Sequence, residues 1–121
     1  MTSTNWVSWI ICCECSSSDF DEISNLAEEM SNYFSANEAD TTHFEWSATE
    51  DRNQIHIHER YANSAQAMSH MQAFGEHFGS RFMALLKPVS VIVYGYPNDE
   101  LTSELRQLSP KFTTTFAGFN R

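Results

Sequence analysis

The order of secondary-structure patterns between residues 6 and 96 is the feature that most limits how this chain can fold. Four segments have the composition of β-strands, and two others carry apolar residues at helical spacing. Their order is strand, helix, strand, strand, helix, strand, which is the split β-α-β arrangement of ferredoxin-like folds. Right-handed crossovers place both helices on one face of an antiparallel sheet, with the first and third strands central. We therefore expect an α+β fold built on a βαββαβ sheet.

The bounds of these elements follow from capping residues and from alternation. The predicted strands are residues 6–15, 42–49, 54–61 and 89–96. The first helix is predicted to begin at Asp19 in a capping box with Glu22, and Asn63 is predicted to cap the second helix, with Gln66 three positions later. The apolar stripe of the second helix continues to residue 82, although glycines at positions 75 and 79 weaken its later turns.

The first and the fourth predicted strands are apolar on both faces. The two helices, however, can cover only one face of the sheet. Residues 98–121 form a short helix, marked by Leu101, Leu105 and Leu108, and an extended arm with a further strand at 112–119. We divide the chain into a ferredoxin-fold domain, residues 1–97, and the added segment, residues 98–121. This segment packs either on its own domain or on a second copy of the chain in a dimer. Because the added segment is too short to fill a sheet face, we expect a homodimer that stacks sheet on sheet. Whether the arm crosses to the partner is left open.

Composition excludes several classes of protein. With 121 residues, 41% hydrophobic and 19% charged, the chain is sized for one globular domain. A formal net charge of −9 argues against nucleic acid and anionic membrane as partners, since no positive field attracts them. No apolar run reaches the roughly 20 residues of a membrane helix, and no positively charged stretch precedes the first apolar run. The sequence thus predicts a cytoplasmic protein.

Three cysteines, Cys12, Cys13 and Cys15, lie in the first strand. Their odd number argues against a disulfide framework, so we expect reduced, buried thiols. A Cys-x-Cys pair could contribute to a soft-metal site, but no further ligands appear at a recognisable spacing. The cysteines therefore predict no metal.

A ladder of polar side chains follows the predicted hairpin. If apolar residues pair with apolar residues, the facing pairs are His43 with Arg60, Glu45 with His58 and Ser47 with His56. Three imidazoles and one carboxylate could bind a divalent metal, which would make the protein a metal-dependent enzyme. The alternative is a solvated or interfacial polar face. We favour that alternative because no second-shell partner can be named.

A carboxylate on the apolar face of the third strand is the more informative polar residue. Glu59 shares that face with Ile55 and Ile57, and the following helix should cover it. A buried carboxylate needs a charged or hydrogen-bonding partner. His70, about two turns into the helix, could approach Glu59 and form an acid–base pair with it. Arg60, Arg81 or backbone amides are the alternative partners, and the sequence does not decide between these readings.

Aromatic side chains are expected between the sheet and the helices. They form either the core or a pocket for a flat, apolar or phenolic ligand, in which case the glycines at 75 and 79 leave room for it. The candidate pocket residues are Trp9, Trp46, Phe74, Phe78 and Tyr94, with Phe82 beside them. No nucleophile elbow and no phosphate-binding glycine loop is present in the sequence.

Four short motifs together resemble a known family. They are Asn37-Glu38, Thr41-x-x-Phe44-Glu45, Glu59-Arg60-Tyr61 and Ser64-x-x-Ala67-x-x-His70. Their order and spacing, over residues 6–96, resemble the antibiotic biosynthesis monooxygenase (ABM) family of dimeric α+β barrel proteins. Two features depart from the family pattern: Asp40 stands where the family often has glycine, and the histidine ladder is not shared.

The resemblance implies a ferredoxin-like fold whose dimer packs sheet on sheet. It also implies oxygenation of a quinol, an anthrone-like aromatic or a polyketide-like molecule without a metal, flavin or other cofactor. Glu59 and His70 match the positions of a polar catalytic site. Two other functions stay open: a noncatalytic dimeric module that binds a small molecule, and a haem-dependent enzyme of the same fold that uses His70 or His77 as iron ligand. The asparagine and tryptophan arrangement of the haem-degrading relatives has no match here.

Overall fold

The computed structural model describes residues 4–121, so residues 1–3, with which the predicted domain begins, lie outside the described part. The strands are Val7–Glu14 (β1), Thr41–Ala48 (β2), Gln54–Tyr61 (β3), Lys87–Gly95 (β4) and Lys111–Phe112 (β5). The helices are Phe20–Asn37 (α1), Ser64–His77 (α2), Gly79–Leu85 (α3) and Asp99–Leu105 (α4). Short 3-10 turns, Ser17–Asp19 and Arg106–Leu108, precede α1 and follow α4.

One sheet with the strand order β2-β3-β1-β4-β5 forms the centre of the fold. The pairs β2–β3, β3–β1 and β1–β4 are antiparallel, whereas β5 runs parallel to β4. The predicted α+β, ferredoxin-like topology is confirmed, including the central positions of β1 and β3. The hairpin register is also confirmed, since Ser47 faces His56 and Glu45 faces His58.

One capping prediction and two boundary predictions are wrong. Asp19 is the N-cap residue of α1, as predicted, but its side chain makes no capping hydrogen bond, and a 3-10 turn leads into the helix there. The second predicted helix breaks at Phe78, whose φ of −130° is not helical, and α3 starts at the next residue. The predicted strand at 112–119 is reduced to the two residues of β5, and the rest of the arm carries no regular structure.

The helices cover one face of the sheet and bury two apolar clusters against it. The first cluster joins α1 and α3 to β1 and β3 through Phe34, Leu26 and Ile57. The second joins α4 to β1 and β4, with Leu101 and Leu105 fully buried. The helix that the sequence placed after residue 97 is thus part of the core rather than a loose extension.

Gly95 lets the chain pass very close to Trp6 at the end of β4. Its φ is +89°, and an added Cβ would lie 2.6 Å from the carbonyl oxygen of Trp6. Only glycine meets both conditions without strain. The close approach allows the Tyr96 amide to donate a hydrogen bond to that same carbonyl oxygen at 2.9 Å.

The opposite face of the sheet has much less cover. Its apolar side chains are only half buried: Trp6, Ile10, Ile92, Tyr94 and Tyr96. The C-terminal arm does not pack its phenylalanines there, since Phe116 is 98% and Phe119 77% exposed. Near the end of the arm, the Asn120 amide lies at hydrogen-bonding distance from the Arg60 guanidinium. Among residues 4–121, none of the helices has the length and hydropathy needed to cross a bilayer.

Candidate functional site

A buried ion-pair network lies between the sheet and α2. The ring nitrogen Nε2 of His70 is 2.9 Å from Oε1 of Glu59, and Nδ1 is 2.8 Å from Oε1 of Glu38. The Tyr61 hydroxyl donates a 2.5 Å hydrogen bond to Oε1 of Glu59. All four side chains are at least nine-tenths buried. The two predicted site residues, Glu59 and His70, are therefore in direct contact.

Local sequence explains why these groups meet. Alternation along β3 directs Glu59 and Tyr61 to the helical face, where their neighbours are apolar. The Asn63 side chain accepts a hydrogen bond from the backbone N–H of Gln66 and fixes the first turn of α2. His70 follows on the buried face of that helix, directly over Glu59. Arg60 and Arg81, the alternative partners, lie elsewhere: Arg60 stacks on Trp6, and Arg81 pairs with the exposed Glu29.

Glu38 is a member of the network that the site prediction missed. It is the C-cap residue of α1, and its side chain also accepts a hydrogen bond from the Thr41 hydroxyl at 2.8 Å. Glu38 thus connects the end of α1 and the start of β2 to His70. The Asn37-Glu38 motif marked this position, but only as part of a family pattern. Tyr61 could have been found from alternation alone, because it is two residues from Glu59 on the same face.

The network keeps His70 protonated at neutral pH. Burial by itself lowers the pKa of an imidazole, yet the hydrogen bonds and negative charges of Glu38 and Glu59 outweigh it and raise the pKa of His70 to about 9. Burial and the adjacent Glu59 carboxylate raise the pKa of Tyr61 well above its ordinary value, so its hydroxyl keeps its proton. At pH 7 the site therefore contains an imidazolium held between two glutamate side chains.

A cavity of about 300 Å³ opens onto one side of this network. Glu59 and His70 form its polar inner wall, and Trp9, Phe44 and Phe74 are among its aromatic walls. The volume is at the lower end of the range found for small-molecule sites, and the lining is mainly apolar. The remaining residues around it are Ile11, Met30, Ile57, Met71, Phe82, Met83, Pro88, Val91, Glu104, Gln107 and Leu108.

The predicted pocket residues do not all line this cavity. Trp9 and Phe74 do. Trp46 packs against Phe82, and Phe78 packs against Phe34, so both belong to the core beside it. Tyr94 lies on the opposite face of the sheet, in an open groove with Trp6 and Arg60. The cavity also has Glu104, Gln107 and Leu108 in its lining, which the sequence analysis did not include.

The histidine ladder does not form a metal-binding cluster. His43 Nε2 is 4.0 Å from Glu45 Oε1, and the His43 and His58 rings are 6.5 Å apart. His56 contacts Cys12 instead, with 3.5 Å between Nε2 and Sγ. Within residues 4–121, no three His, Cys, Asp or Glu side chains are placed to hold one metal ion. The geometry does not favour the metal-dependent alternative.

The three cysteines are free, as the sequence predicted, but only Cys13 is fully buried. Burial raises the pKa of the Cys13 thiol to about 12, which makes it unreactive at neutral pH. Cys12 and Cys15 are partly exposed, so the expectation that all three thiols are buried is wrong.

Comparison with known proteins relates this architecture to solved structures. Neither a protein-family model nor a curated protein matches the chain. Among solved structures, MupZ from Pseudomonas fluorescens aligns with a TM-score of 0.85 at 19% identity, over 97% of this chain and 95% of that one. A protein from Nitrosomonas europaea, provisionally named an antibiotic biosynthesis monooxygenase, aligns with a TM-score of 0.64 at 15% identity, over 78% and 93%.

A protein from Bacteroides thetaiotaomicron, also provisionally named an antibiotic biosynthesis monooxygenase, aligns with a TM-score of 0.62 at 14% identity. The alignment covers 78% of this chain and 90% of that one. The chain has an ABM-like fold. At these identities the likeness concerns the fold alone, and the predicted resemblance is confirmed at that level. The alignment with MupZ covers 97% of this chain, so this likeness of fold extends over most of the segment after residue 97.

Proposed function

We propose that this protein is an enzyme that removes a proton from a small aromatic molecule, and that it acts as a cofactor-independent monooxygenase on quinol, anthrone-like or polyketide-like substrates. The observation that carries the proposal is the buried Glu59–His70 pair, which forms the polar wall of an otherwise apolar cavity. Ionisable groups of this kind are costly to bury and cluster at functional sites. The ABM-like fold agrees with the proposal but does not by itself assign a function.

Glu59 is the proposed catalytic base. A cavity of low polarity favours proton transfer from a weakly acidic C–H or O–H group to a carboxylate in reach, because water does not compete for either group. For an anthrone, loss of the proton gives a carbanion that can react with O₂. The ring CH₂ is oxidised to a carbonyl, and one oxygen atom leaves as water. The overall change, R₂CH₂ + O₂ → R₂CO + H₂O, balances without a further reductant.

The other members of the network have supporting roles in this proposal. The His70 imidazolium donates to Glu59 and would stabilise negative charge that develops on a nearby substrate oxygen. Glu38 holds the other ring nitrogen and fixes the ring orientation. The Tyr61 hydroxyl and His70 both donate to Oε1 of Glu59, so we assign proton removal to the other carboxylate oxygen, Oε2.

Oxygen consumption tests the proposal. We expect a panel of 1,4-hydroquinones and anthrones to consume O₂ faster with the protein than without it, and His70→Ala to lower that rate. A metal chelator should leave the rate unchanged, with elemental analysis as the check on bound metal. No rate enhancement across the panel would contradict the enzymatic proposal. Saturable binding without turnover would instead assign the cavity to a noncatalytic binding module.

We further propose that the chain forms a homodimer through the face of the sheet that the helices leave uncovered. This face carries half-buried Trp6, Ile10 and Tyr94, and the arm that could have covered it leaves Phe116 and Phe119 in solvent. On this face the large apolar side chains lie beside the polar ladder of His43, His58 and Arg60, and such a mixed surface with aromatic residues and arginine is typical of a protein interface. The homodimer and the cytoplasmic location both stay predictions.

Light scattering at micromolar concentration tests the dimer. The native protein should have twice the mass of one chain. Ile10→Glu places a charge at the centre of the uncovered face and should yield monomers, whereas Ser35→Glu, on the exposed side of α1, should leave the mass unchanged. A stable monomer of the native protein would contradict the interface.

A further inference from the structure

The segment that follows residue 97 contributes Glu104, Gln107 and Leu108 to the lining of the cavity. Leu101 and Leu105 are fully buried against the cluster that contains Trp9 and Val93, and this contact fixes the position of α4. Buried contacts of α4 therefore hold this part of the lining in place.

Glu104 adds a carboxylate to the cavity without an ion-pair partner among the residues described. The ionisable groups of the lining are Glu59, His70 and Glu104, and no lysine or arginine is among them. His70 is shared between Glu59 at 2.9 Å and Glu38 at 2.8 Å, so this network supplies no surplus positive charge, and none of the ion pairs found among residues 4–121 includes Glu104. The nearest basic residue in sequence, Arg106, places its guanidinium over the Phe112 ring at 5.0 Å.

We infer that the cavity takes neutral or cationic ligands and rejects carboxylates, and that Glu104 is the residue that sets this preference. The inference rests on the proposed function only in that the cavity is the ligand site. An apolar ring system would occupy the inner part, and a hydroxyl or amine at its outer end would donate to Glu104 or Gln107. A ligand carboxylate at that position would meet a like charge in partly desolvated surroundings, which weakens binding on the order of tenfold.

A matched pair of stable probes tests this preference without any turnover. The probes are 2-naphthol, which is neutral at pH 7, and 2-naphthoate, which has the same ring system and one negative charge. Isothermal titration calorimetry should show that the native protein binds 2-naphthol about tenfold more tightly than 2-naphthoate. Glu104→Gln should reduce that ratio severalfold, mainly because 2-naphthoate binds more tightly, since the glutamine carbonyl oxygen can still accept from the hydroxyl of 2-naphthol. Glu104→Lys should reverse the ratio, because lysine attracts the carboxylate and cannot accept a hydrogen bond from the hydroxyl.

Glu100→Lys is the control, because it makes the same charge change on the exposed side of α4, away from the cavity. It should leave the ratio of the two affinities unchanged. A ratio that Glu104→Lys does not move, or a native protein that prefers 2-naphthoate, would overturn the inference and leave the oxygenase proposal standing. Absence of binding by both probes would also overturn it. Failure of the oxygenase proposal is seen separately, in the oxygen measurements.

Discussion

Glu59→Gln is expected to lower the turnover of the proposed substrates by about 10²- to 10⁴-fold, the usual contribution of a positioned general base. Glutamine has nearly the same shape as glutamate and can still accept hydrogen bonds from Tyr61 and His70. It cannot take a proton from the substrate. The loss should therefore appear in kcat, with a much smaller change in KM, as oxygen consumption under steady-state conditions would show.

Two further variants separate a catalytic role of Glu59 from a merely structural one. Glu38→Gln removes the other carboxylate bound to His70, but Glu38 does not line the cavity, so the loss of kcat should be much smaller. Glu29→Gln breaks the exposed ion pair with Arg81 and should have no effect on turnover. If Glu59→Gln kept more than half of the native kcat, or if Glu38→Gln lost as much, Glu59 would not be the base.

Sequence periodicity predicted those parts of the site that lie on regular strands. The hairpin register followed from pairing apolar with apolar residues, because a slip by one residue would have moved Ile55 and Ile57 to the other face. The same alternation placed Glu59 under α2. It also places Tyr94 on the face opposite Val93, as the structure shows, so the inclusion of Tyr94 in the pocket went against the alternation.

The parts that could not be predicted depend on irregular backbone or on tertiary contacts. Glu38 lies at the end of a helix, where neither helical nor strand periodicity sets the direction of a side chain. The break at Phe78 depends on how α3 packs, and propensity only suggested it through the neighbouring glycines. The contribution of Glu104 to the cavity requires the packing of α4 on β1 and β4, which no local pattern encodes.

Protonation of His70 leads to the second prediction of large effect, a loss of stability as the pH rises from about 6.5 to about 9. The pKa of His70 is about 9 in the folded protein, against 6.5 for the unperturbed group. Between these values the folded protein holds a proton that the unfolded chain releases, so the free energy of unfolding falls with rising pH. The stabilisation that the bound His70 proton gives to the folded protein is complete below pH 6.5 and is lost as the pH passes through 9. Its size is on the order of 3 kcal/mol.

Other groups with a raised pKa contribute little to the pH dependence of stability below about pH 8. The Cys13 thiol, whose pKa is about 12 in the folded protein, favours unfolding only where an unfolded thiol would ionise, near pH 9 and above. Tyr61, with a pKa raised well above its ordinary value of 10, acts at still higher pH. Urea unfolding at pH 6, 7 and 8 should therefore report mainly on His70, and the further loss at pH 9 includes a contribution from the thiols.

His70→Gln should remove most of this pH dependence. Because it also leaves the Glu38 and Glu59 side chains buried without the cation between them, it should lower the free energy of unfolding at pH 6.5 by about 3 to 5 kcal/mol. His77→Gln, at an exposed histidine of the same helix, should keep the native pH dependence. If His70→Gln does not fold, NMR titration of the native His70 ring gives the same answer. A ring that titrates near pH 6.5, or a native stability that is constant between pH 6.5 and 9, would show that the buried network holds a neutral imidazole.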